Sequence, residues 1–251
     1  MKARSVWIVT VDEPVFYGRL YQRLIDSAPG CVAGVIILPS LFRRNSSGLV
    51  SDLSYRFRFW GARGFLHSVT RVLLARIRKT GDPASAARRH GIAVARAQSI
   101  GHAVLTLKSH GADVVLATVN ARVRQADLDA IPGGWVNTHC GPLPRYAGVD
   151  APFWCLYHME PTLTVTLHYM QGEFDAGPII SQASIANDRR PYFPLVDELF
   201  NKALALHEDF LRTGVPAIVE AKTQDLALRT YFGKPPIAKG REFRRRGGRF
   251  V

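Results

Sequence analysis

Short apolar strands alternate with helical segments along most of this chain, and this alternation restricts the fold more than any other feature. Residues 5–10 are rich in β-branched and aromatic side chains, 17–28 carry apolar residues at helical spacing, and 31–38 form a second apolar run. A strand, a helix and a strand in this order predict two parallel strands joined by a crossover helix. The chain is therefore predicted to open with a βαβ unit of the Rossmann type.

The alternation continues towards the C-terminus. Gly91 and Gly111 follow two of the helical segments, where glycine commonly ends a helix. Further helices are predicted at 83–90, 99–110, 125–130, 152–157 and 196–211, and further strands at 92–95, 113–118, from 135, 163–170 and 179–186. The predicted fold is a single α/β Rossmann-like domain with a mostly parallel central sheet and helices on both faces.

Polar side chains stand where the strand from Trp135 ends. Asn137 and His139 are two residues apart, so on a continuing strand their side chains lie on the same side. The Gly and Pro residues that follow force the chain to turn at the strand end, where open α/β sheets place their ligands. Asn137 and His139 are therefore predicted to face one pocket.

A second polar turn follows the next apolar strand. Asp175 lies between Gly172 and Gly177, and a turn at this position can bring its carboxylate to an imidazole on a neighbouring strand. An amide that donates to an oxyanion, an imidazole that moves a proton and a carboxylate that orients it suffice for acyl transfer to an amine. This chemistry needs no covalent nucleophile.

The motifs occur in a specific order along the chain. They are Asn137-Thr-His139, Leu143-Pro-Arg-Tyr-Ala-Gly148, Leu163-Thr-Val-Thr-Leu-His168 and Phe174-Asp175-Ala-Gly177. This series resembles the folate-dependent formyltransferases, the group that contains glycinamide ribonucleotide, methionyl-tRNA and sugar-nucleotide N-formyltransferases. The resemblance covers about residues 113–182. The chain departs from the common Pro-Ser-Leu after the histidine, because it has Cys140-Gly-Pro-Leu143 there.

The resemblance implies a site and a co-substrate. It implies 10-formyltetrahydrofolate as the formyl donor and no metal, with Asn137, His139 and Asp175 as catalytic residues, and with Asp175 holding His139 charged and oriented. His168 is predicted to be a packed or partly exposed strand residue. The residues predicted to bind folate are Thr118, Asn120, Ala121, Arg122, Val123, Gly172 and Phe174, and those predicted to bind the acceptor are Arg145 and Tyr146.

The first turn of the chain indicates which class of acceptor the site can bind. Asp12 and Glu13 follow the first strand where a phosphate-binding loop would need glycines, and their carboxylates repel an anion. The branch that acts on glycinamide ribonucleotide is therefore disfavoured. The methionyl-tRNA branch is also disfavoured, since it implies an additional C-terminal domain. We expect a primary amine on a small anionic acceptor, such as an amino sugar carried by a nucleotide or a lipid phosphate.

Length and composition fit an enzyme with one large core. The chain has 251 residues, of which 47% are hydrophobic, and a net charge of +13. The sequence shows no long uncharged apolar run and no secretory signal, so a cytoplasmic location is expected. The odd number of cysteines, without CxxC spacing, indicates neither disulfides nor a zinc site.

Two regions are strongly basic. Residues 55–79 contain seven Lys and Arg residues and no acid, interleaved with apolar residues at helical spacing. Packing on the core is the favoured interpretation, ahead of a role in binding an anionic substrate and of contact with a membrane surface. The predicted domain covers 1–230, followed by a short basic extension at 231–251, and residues 234–251 are treated as a solvated tail. The sequence contains no nucleic-acid recognition module. It leaves the oligomeric state open, with a homodimer as one alternative.

Two alternatives to formyl transfer remain. In the first alternative, the chain is a catalytically silent homologue that binds folate or an anion. In the second, it is a hydrolase that releases formate from formyltetrahydrofolate. Turnover of the formyl donor with and without amines separates these alternatives from the transferase.

Overall fold

The computed structural model describes residues 5–39, 46–119, 121–214 and 220–251. Its strands are β1 (Val6–Val11), β2 (Gly34–Leu38), β3 (Ala93–Arg96), β4 (Val114–Thr118), β5 (Trp135–His139), β6 (Ala147–Gly148), β7 (Thr162–Tyr169), β8 (Ile179–Ala186) and β9 (Tyr231–Phe232). Its α-helices are α1 (Tyr17–Ser27), α2 (Ser46–Ile77), α3 (Pro83–Arg89), α4 (Ile100–Ser109), α5 (Gln125–Asp129), α6 (Ala151–Tyr157), α7 (Tyr192–Thr213) and α8 (Ile237–Arg245).

The main sheet contains seven of these strands in the order β3-β2-β1-β4-β5-β7-β8. The first five pair in parallel, whereas β7 runs antiparallel to both β5 and β8. The chain passes from β1 to β2 on one side and from β3 across to β4 on the other. The order therefore reverses beside β1, which places a crevice at the carboxyl ends of β1 and β4.

The core lies on both faces of this sheet because successive strand residues point to opposite sides. On β1, Ile8 belongs to a buried cluster shared with α1, α6 and α7, whereas Trp7 and Val9 belong to a cluster shared with α4 and α5. Helices therefore cover both faces, and the predicted α/β fold is confirmed. The predicted elements begin and end within a few residues of the observed ones.

Helix α2 is the long basic segment, and it consists of two helical halves. Gly61 interrupts it with φ of 77° and ψ of 173°, a conformation outside the helical region that glycine adopts without a Cβ clash. Phe59 and Ala75 are buried, one from each half, so the predicted packing of this segment on the core holds for one side of the helix. The other side is exposed.

The C-terminal region packs against α2 and differs from the predicted solvated tail. Phe243, on α8, and Phe250 are buried in the core, and the ring of Phe250 lies 5.5 Å from that of Phe59 and 5.3 Å from that of Phe243. Strand β9 also pairs with β6. The many cations dominate the composition of this region and hide the two apolar anchors. The boundary at residue 230 stays a prediction.

Replacing Phe250 by Ala tests this packing. The change leaves a cavity between aromatic rings, so the free energy of unfolding should fall by about 3–5 kcal/mol in chemical denaturation. The matched change Phe57→Ala removes a ring that is 50% exposed and should cost much less. Equal stability of the Phe250→Ala and Phe57→Ala proteins would show that the C-terminal region is a solvated tail.

Candidate active site

A cavity of about 630 Å³ opens at the carboxyl ends of β4 and β5. The first half of α2, the loop after β7 and the chain around β9 complete its walls. This volume lies in the range of small-molecule sites. The predicted catalytic residues Asn137, His139 and Asp175 all line it.

Strand pairing explains why the polar residues meet here. In the antiparallel register, Asn137 lies opposite His168 and His139 lies opposite Thr166. Paired residues project from the same face of a sheet, so alternate polar residues of β5 and β7 share one side. Their apolar neighbours Val136 and Leu167 point into the core on the other side.

Both ring nitrogens of His139 face polar atoms. Its Nε2–H donates to the carbonyl oxygen of Tyr146 at 2.8 Å, and its Nδ1 lies 3.5 Å from Oδ2 of Asp175. Burial lowers the pKa of His139 below its usual value of 6.5, and the neighbouring Asp175 carboxylate opposes this shift without reversing it. The direction of this shift runs against the expectation that Asp175 holds His139 charged, because desolvation disfavours the imidazolium.

Gly141 makes room for the contact between His139 and Tyr146. A Cβ at this residue would lie 2.5 Å from Nε2 of His139 and 2.8 Å from the Tyr146 carbonyl oxygen. The backbone at Gly141 therefore lies directly against the imidazole. Burial also raises the pKa of the Cys140 thiol to about 12, so this cysteine is protonated and a poor nucleophile.

Asp175 is fixed from several sides. Its backbone adopts a left-handed conformation with φ of 54°, its Oδ2 accepts from the Gly148 amide at 2.8 Å, and Gln224 donates to its carbonyl oxygen at 3.0 Å. Burial raises the pKa of Asp175, but the two nearby imidazoles and the Gly148 amide outweigh burial and lower it to about 2. The carboxylate is therefore ionised at neutral pH.

His168 belongs to the site, whereas the sequence favoured a packed strand residue. Its Nδ1–H donates to the carbonyl oxygen of Tyr169 at 2.8 Å, so its Nε2 can accept from the Asn137 amide at 3.1 Å. The same Nε2 lies 3.6 Å from Asp175. The signal in the sequence was the run of polar residues at every second position of β7, which marks a strand face turned towards a polar region.

Asp150 is a second residue that sequence reasoning missed. It lines the cavity at the start of α6 and accepts a hydrogen bond from the Tyr192 hydroxyl at 2.7 Å. Burial raises its pKa to about 6, although hydrogen bonds oppose the shift. An aspartate just before a helix that has proline in its first turn is usually explained as a cap, so the sequence gave no sign of a cavity carboxylate.

The two segments predicted to bind folate lie next to each other at the cavity. Nε of Arg122 donates to the Gly172 carbonyl oxygen at 2.8 Å and joins them. Asn120 lies outside the described residues. The remaining predicted folate residues all line the cavity: Thr118, Ala121, Arg122, Val123, Gly172 and Phe174. Val119 and Met170 add apolar wall, which suits the flat pterin ring of a folate.

The two predicted acceptor residues do not line this cavity. Arg145 is 56% exposed and its guanidinium lies 3.7 Å from Glu160. The Tyr146 side chain is buried, and its hydroxyl donates to Glu160 at 2.7 Å. Only the carbonyl of Tyr146 reaches the catalytic residues.

Cations line the cavity elsewhere. Arg56 and Lys234 both approach Asp52, with Lys234 Nζ at 3.8 Å from the carboxylate and 3.7 Å from the centre of the Tyr55 ring. One carboxylate therefore stands between two cations, and the Arg56 guanidinium also acts on the nearby Asp150 carboxyl, whose pKa it lowers against the larger effect of burial. We call the part of the wall that carries Arg56 and Lys234 the cationic wall, and an anionic group on a ligand would meet positive charge there.

The N-terminus of α1 is closed to phosphate by the chain itself. The Glu13 carboxylate accepts from the amides of Val15, Phe16 and Tyr17 at 2.8–2.9 Å. Asp12 binds Arg76 at 2.7 Å. The amides that a bound phosphate would use are therefore occupied by a side chain of opposite charge to the helix end.

Among the described residues, no group of three or more His, Cys, Asp or Glu side chains is arranged to hold a metal ion. In the same ranges, no helix is both long enough and apolar enough to cross a membrane.

Comparison with known proteins gives a family match. The Formyl transferase family model matches residues 71–189, a range that is just under half of the chain and includes all the catalytic candidates. Over this range the chain is similar to formyl transferases. The predicted resemblance is confirmed.

Sequence relatives include methionyl-tRNA formyltransferases. That of Chloroflexus aggregans is 31% identical over 146 residues, which cover 56% of this chain and 47% of that protein. That of a Thermotoga species is 29% identical over 152 residues, which cover 58% of this chain and 48% of that protein. The chain thus spans about half the length of these relatives.

Solved structures show the same fold at low sequence identity. Glycinamide ribonucleotide transformylase 1 from Symbiobacterium toebii has a TM-score of 0.59 and 19% identity, over 84% of this chain and 88% of that chain. An N-formyltransferase from Helicobacter canadensis was crystallised in complex with folinic acid and dTDP-3-aminofucose. It has a TM-score of 0.56 and 14% identity, over 92% of this chain and 71% of that chain. At this identity, the comparison supports the architecture of the chain.

Replacing Glu13 by Ala tests the closure of α1. The helix loses a charged cap for its first amides, so the free energy of unfolding should fall by about 1–2 kcal/mol. The neighbouring change Asp12→Ala removes only an exposed ion pair with Arg76 and should cost less than about 1 kcal/mol in the same denaturation experiment. A smaller loss for Glu13→Ala than for Asp12→Ala would contradict the proposed cap.

Proposed function

We propose that this chain moves a formyl group from 10-formyltetrahydrofolate to the primary amine of a small anionic acceptor. The observation that carries the proposal is the meeting of Asn137, His139 and Asp175 in one cavity that also receives both predicted folate segments. The match of residues 71–189 to the Formyl transferase family model supports the reaction class. The donor supplies the formyl group when it is bound.

His139 is proposed to act as a base. Its neutral imidazole keeps a hydrogen on Nε2 for the Tyr146 carbonyl and has a free lone pair on Nδ1. As the amine nitrogen bonds to the formyl carbon, His139 takes the proton that the amine loses and returns it to the departing nitrogen. Asp175 lies 3.5 Å from Nδ1, so its negative charge stabilises the imidazolium that forms during the reaction.

Asn137 is proposed to stabilise the formyl oxygen. One hydrogen of its amide is directed to Nε2 of His168 at 3.1 Å, which fixes the orientation of the amide and leaves the second hydrogen for the cavity. A donor held in place before the reaction stabilises the negative charge that develops on the oxygen. His168 therefore acts as a positioning residue.

Asp150 is proposed to receive the acceptor amine. An amine enters from water mainly as an ammonium, which a cavity carboxylate attracts, and it must lose a proton before it attacks. A carboxyl whose pKa is about 6 is ionised at neutral pH and is more basic than an ordinary aspartate. Its place at the cavity wall, between β5 and the cationic wall, suits this role.

The acceptor is proposed to be an amino sugar on a nucleotide or a lipid phosphate. Arg56 and Lys234 offer positive charge to a phosphate within the cavity, whereas Glu13 fills the helix end that would bind a ribotide phosphate. The crystallised Helicobacter canadensis relative contains a sugar nucleotide, which supports the same class of acceptor. A cytoplasmic location stays a prediction.

Two other functions remain alternatives. A silent homologue would bind folate without turnover, and a hydrolase would release formate whether or not an amine is present. The buried and ordered contacts of His139 and Asp175 favour turnover over silence, because both side chains are held in the cavity against a desolvation penalty.

Replacing His139 or Asp175 by Asn tests the catalytic assignment. Each change should lower kcat about a hundredfold or more, because each residue acts on charge that develops in the transition state. Binding of the formyl donor, measured by calorimetry, should largely survive. The exposed histidine variant His102→Asn is the matched control and should keep normal turnover. Near-normal rates for either site variant would exclude the mechanism.

Acceptor specificity gives a separate test. An aminodeoxysugar nucleotide should be formylated, and glycinamide ribonucleotide should not, in side-by-side kinetics with the same formyl donor. Lys234→Gln should raise the KM for the sugar nucleotide about tenfold with little change in kcat, as expected when a group binds ground state and transition state alike.

Arg145→Ala is the companion variant, since the sequence placed Arg145 at the acceptor. The geometry predicts that it changes KM less than Lys234→Gln does, because Arg145 lies outside the cavity wall. If Arg145→Ala raised the KM more than Lys234→Gln does, the acceptor would bind at the loop 143–148 instead. Efficient use of glycinamide ribonucleotide would refute the proposed acceptor class.

A further inference from the structure

The second half of α2 carries an exposed apolar surface that the reaction does not explain. Leu66, Leu73 and Ile77 are 66%, 56% and 75% exposed. We call these three residues the outer stripe. Each turn of an α-helix takes 3.6 residues, so side chains seven and eleven positions apart lie on nearly the same line along the helix. The outer stripe therefore forms one continuous apolar line.

The opposite side of the same helix is the one that packs on the protein. Gly64 and Ala75 are buried, and the Arg71 side chain is 14% exposed and binds Asp197 at 2.5 Å. These residues are related by the same spacing and lie about half a turn from the outer stripe. One face of the helix thus packs on the protein, whereas the outer stripe on the opposite face has no partner within the described residues.

The outer stripe is bordered by positive charge. Arg63, Arg78 and Lys79 form no ion pair within the described residues. The sequence contains no Asp or Glu from 53 to 81. The surface is therefore apolar along the outer stripe and basic beside it, at Arg63 and just past the end of the helix.

We infer that the outer stripe and its basic border bind the surface of an anionic lipid bilayer. Leucine and isoleucine side chains can enter the acyl boundary while arginine and lysine stay at the headgroups, which is how basic amphipathic helices lie on membranes. Charge complementarity selects an anionic surface. The helix lies along this surface and does not span it.

Two other partners fit the surface less well. A nucleic acid would use the cations, but aliphatic side chains neither stack on bases nor bind phosphates, so the outer stripe would stay without a role. A second copy of the chain would cover the outer stripe, but a symmetric contact would oppose one basic border to another with no acid between them.

The position of this surface relates it to the cavity. The first half of α2 contributes Asp52, Tyr55, Arg56 and Trp60 to the cavity wall. The second half follows this wall directly in the chain, beyond the interruption at Gly61. Binding of the bilayer itself does not rest on the proposed reaction.

Co-sedimentation of the full chain with vesicles tests the inference. We expect binding to vesicles of phosphatidylglycerol and phosphatidylcholine, little binding to phosphatidylcholine alone, and weaker binding as salt is raised. The triple variant Leu66→Gln, Leu73→Gln and Ile77→Gln should reduce the partition coefficient about tenfold or more, since it removes the apolar contribution.

The matched control carries the same number of exposed apolar-to-Gln changes elsewhere. Leu105, Met159 and Leu228 are 68%, 79% and 60% exposed, and their triple Gln variant should bind vesicles like the original chain. Circular dichroism and thermal unfolding check that both variants fold. If the stripe variant does not fold, Arg63→Gln with Arg78→Gln and Lys79→Gln replaces it and should also weaken binding about tenfold.

Three results would overturn the inference. The first is equal binding to charged and neutral vesicles, or no binding to either. The second is equal binding by the stripe variant and the control. The third is a dimer in light scattering that the stripe variant converts to a monomer, or tRNA binding that displaces the vesicles. Because vesicle binding involves no turnover, a failure here leaves the proposed reaction untouched, and a failed activity assay leaves this test unaffected.

Discussion

The hydrogen bond from Nε2–H of His139 to the Tyr146 carbonyl is the interaction on which the site depends. It fixes the tautomer, since a carbonyl oxygen only accepts, and directs Nδ1 towards Asp175. Gly141 permits it because any larger residue would contact both partners. Burial then decides the protonation state. An imidazole that is neutral at rest can take a proton during the reaction, and the ionised Asp175 favours that charged state.

The sheet supplies the geometry that this interaction needs. Parallel β4 and β5 end at the same edge, and the antiparallel return of β7 sets His168 beside Asn137. The loop after β7 then brings Asp175 back to Gly148 and His139. Groups far apart in sequence thus meet through the pairing register and through the loop that follows β7. The cationic wall comes from α2 and the C-terminal region, so packing of Phe250 also affects the place where the acceptor is proposed to bind.

Local patterns in the sequence were sufficient for the fold and for part of the site. Strand and helix periodicity gave the α/β order, and the turns around Asn137, His139 and Asp175 marked the strand ends. The rest depends on tertiary contacts. The charge state of His139 follows from burial, Asp150 resembled an ordinary cap, and Arg145 looked close to the pocket only in sequence. The cations of the C-terminal region concealed the two phenylalanines that anchor it, because net charge describes solubility and says little about packing.

The neutral state of His139 is the central claim, and nitrogen NMR of the histidine-labelled protein tests it most directly. The His139→Asn protein assigns the His139 signals by their loss. At neutral pH we predict one protonated nitrogen, Nε2, and one unprotonated nitrogen, Nδ1, for His139, with titration only below its usual pKa. Signals from two protonated nitrogens at neutral pH would contradict the account, because a charged His139 could donate to the substrate but could not accept a proton from the amine.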